Sequence, residues 1–412
     1  MNFLYNILIF KASILLPVFA LFSKKIRLFV EGRKETFLKL SQFSKNDKVI
    51  WFHAASLGEF EQARPIIEHI KNKYKNYKIL VTFFSPSGYE IRKNYELADV
   101  ICYLPLDGKK KARKFIENVN PELVVFVKYE FWPNFLNELK RKKIPTILIS
   151  GIFRENQIFF TFFGGFMRKS LQAFNHFFVQ DENSKKLLKT INFENVTVSG
   201  DTRFDRVYEI LQQNNQLDFI TEFKNGQYTI VAGSTWKEDE DLLVNYINNE
   251  ASAEEKFIIA PHNIKDEAVL ELKKLINKKT ILFSEKEEKN LSQYQVFIID
   301  TIGILTKIYS VGNVAYVGGG LKTGLHNILE PATFGIPIVI GNKFEKFKEA
   351  KDLVALKGCI SVNNQEEFSR IFHQLKKDEI FREITGNINK KYIQDNIGAT
   401  EIIMNYVSKK ID

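Results

Sequence analysis

The chain has 412 residues, about 2.7 times a ~150-residue domain, so two or three domains with cores of their own are expected. Hydrophobic residues make up 45% and charged residues 26% of it, a globular balance that excludes a disordered, collagen-like or polytopic membrane protein. Lys plus Arg number 59 against 49 Asp plus Glu, and the net charge of +10 favours anions as partners: a phosphorylated lipid, a nucleotide or a nucleic acid.

Residues 2–23 are almost continuously apolar. As a helix, ~22 residues rising ~1.5 Å each give ~33 Å, about one hydrocarbon thickness. Lys11 near the middle and Pro17 weigh against a clean span and favour a monotopic anchor lying in one leaflet. Met1 to Asn6 carries no Lys or Arg and no Ala-x-Ala site follows, which argues against a cleaved signal. The basic residues Lys24, Lys25 and Arg27 come next, so the positive-inside rule leaves the body of the protein on the cytoplasmic face. A buried first helix is the alternative.

From residue 48, short apolar β-type runs alternate with amphipathic stretches, the pattern of a parallel sheet covered by helices on both faces. Strands are predicted at 48–53, 78–84, 99–104, 122–128, 145–150 and 174–180. After the polar break Gln212 to Gln216 the pattern restarts at 228–232, 256–260, 280–283, 295–299, 313–317 and 336–340. The reading is an α/β chain of two doubly wound, Rossmann-like domains facing across a cleft. Its expected divisions are an anchor at 1–28, a first domain at 29–208, a second at 209–385 and a helical C-terminal segment at 386–412. Ligands of such sheets bind where strand ends run into helix N-termini.

Cys102 and Cys359 lie far apart, and six scattered histidines show no CxxC, HxxxH or HExxH spacing, so zinc, iron–sulfur and disulfide-scaffold readings fail. Cys102, within Val-Ile-Cys-Tyr-Leu, reads as core packing. No Asp-x-Asp motif asks for a divalent cation.

The strand at 48–53 runs into His53-Ala54-Ala55-Ser56-Leu57-Gly58-Glu59 and a helix. Ser56-x-x-Glu59 has the spacing of a capping box. Equally, a carboxylate at a strand-end loop suits a general base taking a proton from an attacking hydroxyl. The strand at 122–128 ends in Lys128-Tyr129-Glu130-Phe131-Trp132-Pro133-Asn134, where Glu130 is either packed among aromatic rings or placed for substrate. Gly200 to Asp205 sets Arg203 just before the linker, as a hinge salt bridge or a functional cation. Ser234 within Gly-Ser-Thr, and Pro261-His262-Asn263, occupy equivalent strand-end loops. Gly318-Gly319-Gly320 follows the strand at 313–317 and leads to His326-Asn327-Ile328-Leu329-Glu330. Glycines admit a close phosphate and a helix start offers amides to it. Asn327 and Glu330, three apart, would share a helix face and suit a ribose.

Together these motifs resemble the 3-deoxy-D-manno-octulosonic acid (Kdo) transferases, inverting glycosyltransferases of the GT-B type, over almost the whole chain: the apolar N-terminus, the stretches at 53–59, 130–134, 200–205 and 233–235, Asp-Thr-x-Gly at 300–303, and 318–330. The resemblance implies transfer of Kdo from CMP-Kdo to a lipid A precursor in lipopolysaccharide inner-core synthesis, at the inner membrane, with no resident cofactor or metal.

By the same resemblance Glu59 is the catalytic base. Arg203 stands where the family has a Lys that stabilises the transition state. Pro261 and His262 match a nucleotide-contacting Pro-Arg pair, so a constant charge becomes a pH-dependent one. Asn327, Ile328, Leu329 and Glu330 match the nucleotide-binding stretch. Lys128 replaces the first Glu of the family's Glu-x-Glu-Leu-Trp-Pro-Asn, and its charge suits the donor sugar's carboxylate. Ile302-Gly303-Ile304 replaces Met-Gly-Glu, which leaves the backbone available. Ser56, Glu130, Ser234, Gly319 and Gly320 are further substrate candidates. The basic runs Lys109 to Lys114 and Lys140 to Lys143 face either anionic lipid or solvent. Alternatives are another GT-B glycosyltransferase or a nucleotide-sugar epimerase using a UDP-sugar, or a catalytically silent membrane scaffold. Nucleic acid is not an expected partner, because the basic residues are dispersed and no recognition motif is present.

Overall fold

A computed structural model describes residues 2–412; Met1, the first residue of the expected anchor, lies outside the described residues. Among the described residues, fourteen strands form two seven-stranded sheets. The first contains β1 (Lys48–Ala54), β2 (Tyr77–Phe83), β3 (Val100–Tyr103), β4 (Leu123–Val127), β5 (Thr146–Gly151), β6 (His176–Val179) and β7 (Val196–Val198), in the order β3-β2-β1-β4-β5-β6-β7. The second contains β8 (Tyr228–Thr235), β9 (Glu255–Pro261), β10 (Thr280–Leu282), β11 (Val296–Ile298), β12 (Val314–Val317), β13 (Ile338–Gly341) and β14 (Cys359–Val362), in the order β10-β11-β9-β8-β12-β13-β14. The strand pairs are parallel.

Strands buried on both faces are unbroken apolar runs, as in Leu123–Val127, where all five residues are buried. Successive side chains in β1 serve opposite faces: Val49 and Trp51 join one core layer with Phe115 and Phe126, Ile50 and Phe52 the other with Phe60 and Ile67. Each strand expected from the sequence is present. β7 and β14 were not anticipated. They are outermost in their sheets, three and four residues long and only partly buried, so no continuous apolar run marks them.

The chain divides into two compact units, one ending at Arg206 and including 396–412, the other spanning Val207–Asp395. The stretch read as one C-terminal segment, 386–412, is therefore divided. The helix Glu379–Asp395 belongs to the second unit, whereas Ile403, Met404 and Val407 of the helix Ala399–Ile411 enter the first unit's core. Asp205 holds the start of that last helix, its two carboxylate oxygens accepting the amides of Gly398 and Thr400 at 2.6 and 2.7 Å.

The apolar stretch 2–23 is not one helix. The helix Asn2–Phe19 ends two residues beyond Pro17, and after a turn Ser23 caps a second helix, Lys24–Gly32, by accepting the Ile26 amide. No residue from 3 to 19 is buried, and Phe3, Leu4, Leu8, Phe10 and Ile14 are all more than half exposed, which overturns the buried-helix alternative. No helix of the described residues is long and apolar enough to cross a membrane. The first helix is tied to the body by polar bonds: Tyr5 donates to Asp107 at 2.7 Å, and Asn134 Nδ2 donates to Asn6 Oδ1 at 3.0 Å.

Candidate active site

In each sheet the strand order reverses beside a central pair, β1 with β4 and β8 with β12. Loops at the carboxyl ends of such a pair diverge and leave room for a ligand. The motifs at 53–59 and 128–134 leave the first pair; those at 233–235 and 318–330 leave the second.

Glu59 lies in the first turn of the helix Leu57–Lys73 and is 6% exposed. The capping-box reading fails. Ser56 occupies the N-cap position, but its side chain accepts no amide bond. Its hydroxyl donates instead to Glu59 Oε2. The carboxylate thus accepts a hydroxyl proton here, the interaction a general base makes before it removes one.

At the neighbouring strand end, the Trp132 indole N–H is shared by Glu130 Oε2 at 2.9 Å and His53 Nε2 at 3.1 Å. An indole only donates, so His53 Nε2 accepts and its proton sits on Nδ1, donating to Thr82 Oγ1 at 2.9 Å. Thr82 in turn accepts from Trp51 Nε1 at 2.8 Å. This buried chain fixes Glu130, which is 9% exposed, at the end of β4. Tyr129 feels the same cluster: burial raises its pKa first, and the negative charges of Glu59 and Glu130 raise it further against Arg154. Lys128 leaves β4 with φ +66, a left-handed conformation costing a non-glycine residue on the order of 1 kcal/mol. Its ammonium lies 5.4 Å from the Tyr129 ring centroid. Asn134 is not part of this cluster. Its amide and that of Phe135 donate to Asp107 at 3.0 Å each, so Asp107 caps the helix Pro133–Arg141.

Arg203 Nε and Nη2 contact Asp201 Oδ2 at 3.0 and 2.9 Å, within the first unit. Asp201 is buried, which alone would raise its pKa, but the Arg203 charge and the bonds from Arg203 and Gln62 bring it below the usual carboxylate value. Gln62 lies one turn beyond Glu59 on the same helix; it donates to Asp201 at 3.0 Å, and its carbonyl accepts the Thr202 hydroxyl at 2.6 Å.

In the second unit the register between β8 and β9 shifts between Gly233 and Thr235, and Ser234 bulges there with φ +54. Asp239, hidden from sequence reading among Lys237, Glu238, Glu240 and Asp241, organises the loops. It accepts the Tyr316 hydroxyl at 2.7 Å, the Gly319 amide at 2.8 Å and the Trp236 amide at 2.9 Å. Burial raises its pKa, and those three bonds oppose the rise. Gly319 has φ +87, and side chains at Gly318, Gly319 or Gly320 would collide with Ser234, Gly324 or Gly341 backbone. The triple glycine therefore lets the chain approach itself.

Pro261 ends β9, and the His262 amide donates to Thr235 O at 2.8 Å. The His262 ring stacks on Trp236 at 4.4 Å and lies 4.7 Å from His326, whose Nε2 accepts from Trp236 Nε1 at 3.1 Å. Burial lowers the pKa of His262; burial, then His262, push His326 down to about 4. Asn327 precedes the short helix Leu329–Thr333, so it does not share a helix face with Glu330. The two still meet, Asn327 Nδ2 donating to Glu330 Oε1 at 3.0 Å. Ile328 and Leu329 are buried, which leaves their backbone as what they can offer a ligand. Thr306 donates to Glu330 Oε2 at 2.6 Å, connecting Glu330 to the segment that follows Ile302-Gly303-Ile304. Ile302 is 82% exposed, Gly303 has φ +98 and Ile304 caps the helix Leu305–Ile308.

The sequence reading missed Gln62, Asp107, Asp239 and Thr306, whose partners are distant in the chain. Cys102 and Cys359 are buried and free, and burial pushes the Cys102 thiol up to about 12. Among the described residues no group of three or more His, Cys, Asp or Glu is placed to hold a metal ion.

The model of one protein family, 3-deoxy-D-manno-octulosonic-acid transferase (kdotransferase), matches residues 31–206. The chain is similar to the 3-deoxy-D-manno-octulosonic acid transferase of Aquifex aeolicus, at 28% identity over 357 residues, 83% of this chain and 92% of that protein. It is similar to the enzyme of the same name from Chlamydophila psittaci, at 30% identity over 304 residues, 71% of this chain and 69% of that protein. In fold it resembles the UDP-GlcNAc 2-epimerase of Neisseria meningitidis, with a TM-score of 0.61 and 14% identity, covering 88% of this chain and 100% of the other. The last likeness concerns the fold of the two parallel-sheet α/β units; the family model spans the residues that include Glu59, Glu130 and Arg203, and with these sequence likenesses the chain belongs to the 3-deoxy-D-manno-octulosonic acid transferase family of glycosyltransferases.

Proposed function

We propose that this chain transfers Kdo from CMP-Kdo to a hydroxyl of a lipid A precursor in lipopolysaccharide inner-core synthesis, working at the cytoplasmic face of the inner membrane. The observation that carries the reading is the hydroxyl-to-carboxylate bond from Ser56 to Glu59 at the end of a central strand. Glu59 takes the proton of the acceptor hydroxyl as its oxygen attacks the anomeric carbon; the bond from that carbon to the phosphate oxygen breaks and CMP leaves. Arg203, oriented by Asp201, and Lys128 supply positive charge for the departing phosphate and the donor's carboxylate. In the second unit Asn327 and Glu330 hold the cytidine ribose, and His262 serves the phosphate. No resident metal or cofactor has a role in this scheme. The exposed apolar face of the helix Asn2–Phe19, followed by Lys24, Lys25 and Arg27, supports a monotopic membrane attachment.

The test is mass analysis of the lipid made by the purified protein from CMP-Kdo and a tetra-acylated lipid A precursor. Wild type is expected to add Kdo, and Glu59→Gln to lower the rate by about 10²–10⁴. Near-normal turnover by Glu59→Gln removes Glu59 as base. Transfer from a UDP-sugar with none from CMP-Kdo removes the donor assignment.

A further inference from the structure

Arg33, just past the helix Lys24–Gly32, is a cation with no acidic partner among the described residues. Its Nη1 donates to Phe29 O at 2.9 Å and its Nη2 to Phe84 O at 2.7 Å, while its Nε is buried and makes no hydrogen bond. Three aromatic rings lie against it, with the guanidinium carbon 3.4 Å from the Phe29 ring centroid, 4.9 Å from Phe84 and 5.0 Å from Tyr103. Among the described residues no Asp or Glu forms an ion pair with it. Burial pushes its pKa down to about 9, opposed by Tyr103 and Cys102. Buried charges are ordinarily paired, because desolvation is otherwise uncompensated. Ring faces and carbonyls keep this one positive without neutralising it.

The same side chain lines a cavity of about 330 Å³ whose walls include Leu16, Pro17, Phe29, Phe37 and Leu106. The exposed Lys34 and Lys111 also border it. A second cavity of about 340 Å³ shares Leu16 and Phe29 and continues along Phe84, Ser85 and Pro86. These walls adjoin the catalytic loops. Phe84 stacks on Trp132 at 4.6 Å, and Trp132 is bonded to Glu130 and His53. The Ser85 amide donates to Ala55 O at 2.7 Å, one residue before Ser56.

Apolar walls beside an unpaired guanidinium fit a ligand that carries an acyl chain next to a phosphate. We propose that Arg33, with Lys34 and Lys111, binds a phosphate of the lipid acceptor while an acyl chain of the same molecule enters the cavities around Phe29. This rests on the acceptor being a phosphorylated, acylated lipid. The site makes the acceptor's phosphate a determinant of its KM, and it sets that phosphate at a distance from the hydroxyl that Glu59 serves.

The test uses the full chain in detergent micelles at saturating CMP-Kdo, with a phosphorylated acceptor and its dephosphorylated form. Arg33→Met is expected to raise KM for the phosphorylated acceptor about tenfold with kcat within about twofold, the pattern of a lost binding contact, and to leave KM for the dephosphorylated form unchanged. Arg33→Lys is expected to retain most of the affinity. An equal loss on both acceptors assigns Arg33 a structural role and overturns the proposal. Should Arg33→Met not fold, wild type decides: equal KM values for the two acceptors overturn it, and a KM about tenfold higher for the dephosphorylated form supports it. Equilibrium binding of radiolabelled acceptor without donor is read separately. Tighter binding by wild type and Arg33→Lys than by Arg33→Met, with no Kdo transfer at all, upholds the site and removes the transferase reading instead. Full displacement of the acceptor by an equal concentration of phosphatidylglycerol assigns the cavity to a bilayer lipid and overturns the proposal.

Discussion

Gln62 Nε2 donates to Asp201 Oδ1 at 3.0 Å, so the helix bearing Glu59 and the start of the helix bearing Arg203 are one hydrogen-bonded body. Asp201 is 5% exposed and accepts from both Gln62 and Arg203, so the variant gives up two bonds to a buried charged acceptor. Asp201→Asn is expected to cost on the order of 3 kcal/mol at pH 7, read by denaturant unfolding. The pH dependence follows from the depressed folded-state pKa. Stability from this group is complete above the unfolded value near 3.8 and disappears as pH falls through the lower folded value. The gap between wild type and variant therefore narrows below about pH 4; a gap that stays constant down to pH 2 contradicts the assignment.

Ser56→Ala separates a cap from a site residue. The Ser56 side chain accepts no amide bond, so the helix loses nothing of the ~1 kcal/mol that a cap substitution removes. Thermal stability is expected to stay near wild type while kcat/KM falls, because the bond to Glu59 is gone. A full cap-sized loss of stability with unchanged kcat/KM contradicts this.

Asp239 gathers three donors from separate segments. Asp239→Ala leaves the Tyr316 hydroxyl and the Trp236 and Gly319 amides unmatched, a loss on the order of 3 kcal/mol. The glycine loop would shift with it. Calorimetry with CMP is the sharper measurement: weakened binding is expected, and unchanged binding detaches that loop from the nucleotide.

His326 gives a second pH window. The unfolded chain takes up the imidazole proton near 6.5, the folded chain only near 4, so between these values the unfolded state holds more protons. Stability contributed by this group rises with pH across that interval. Melting temperature is expected to fall from pH 7 to pH 5, and His326→Gln to flatten that slope while losing the bond from Trp236. An unchanged slope points to other groups.

Six strands of each sheet were legible because parallel strands buried on two faces are apolar runs, as in Leu123–Val127 and Val314–Val317. β7 and β14 were not, because an edge strand needs apolar residues on few positions. Glu59, Glu130 and Arg203 were found through local motifs at strand ends. Their partners were found only in the fold: Trp132 is two residues from Glu130 but 79 from His53, and Gln62 is 139 from Asp201.

Residue order along the chain thus specified the two sheets, the loops that carry chemistry and the family to which they belong, since strand periodicity and short motifs are written between near neighbours. Whether Ser56 caps a helix or meets Glu59, whether Arg203 is taken up by Asp201, and whether Arg33 has a carboxylate beside it are matters of which distant atoms arrive within about 3 Å, and only packing brings them there.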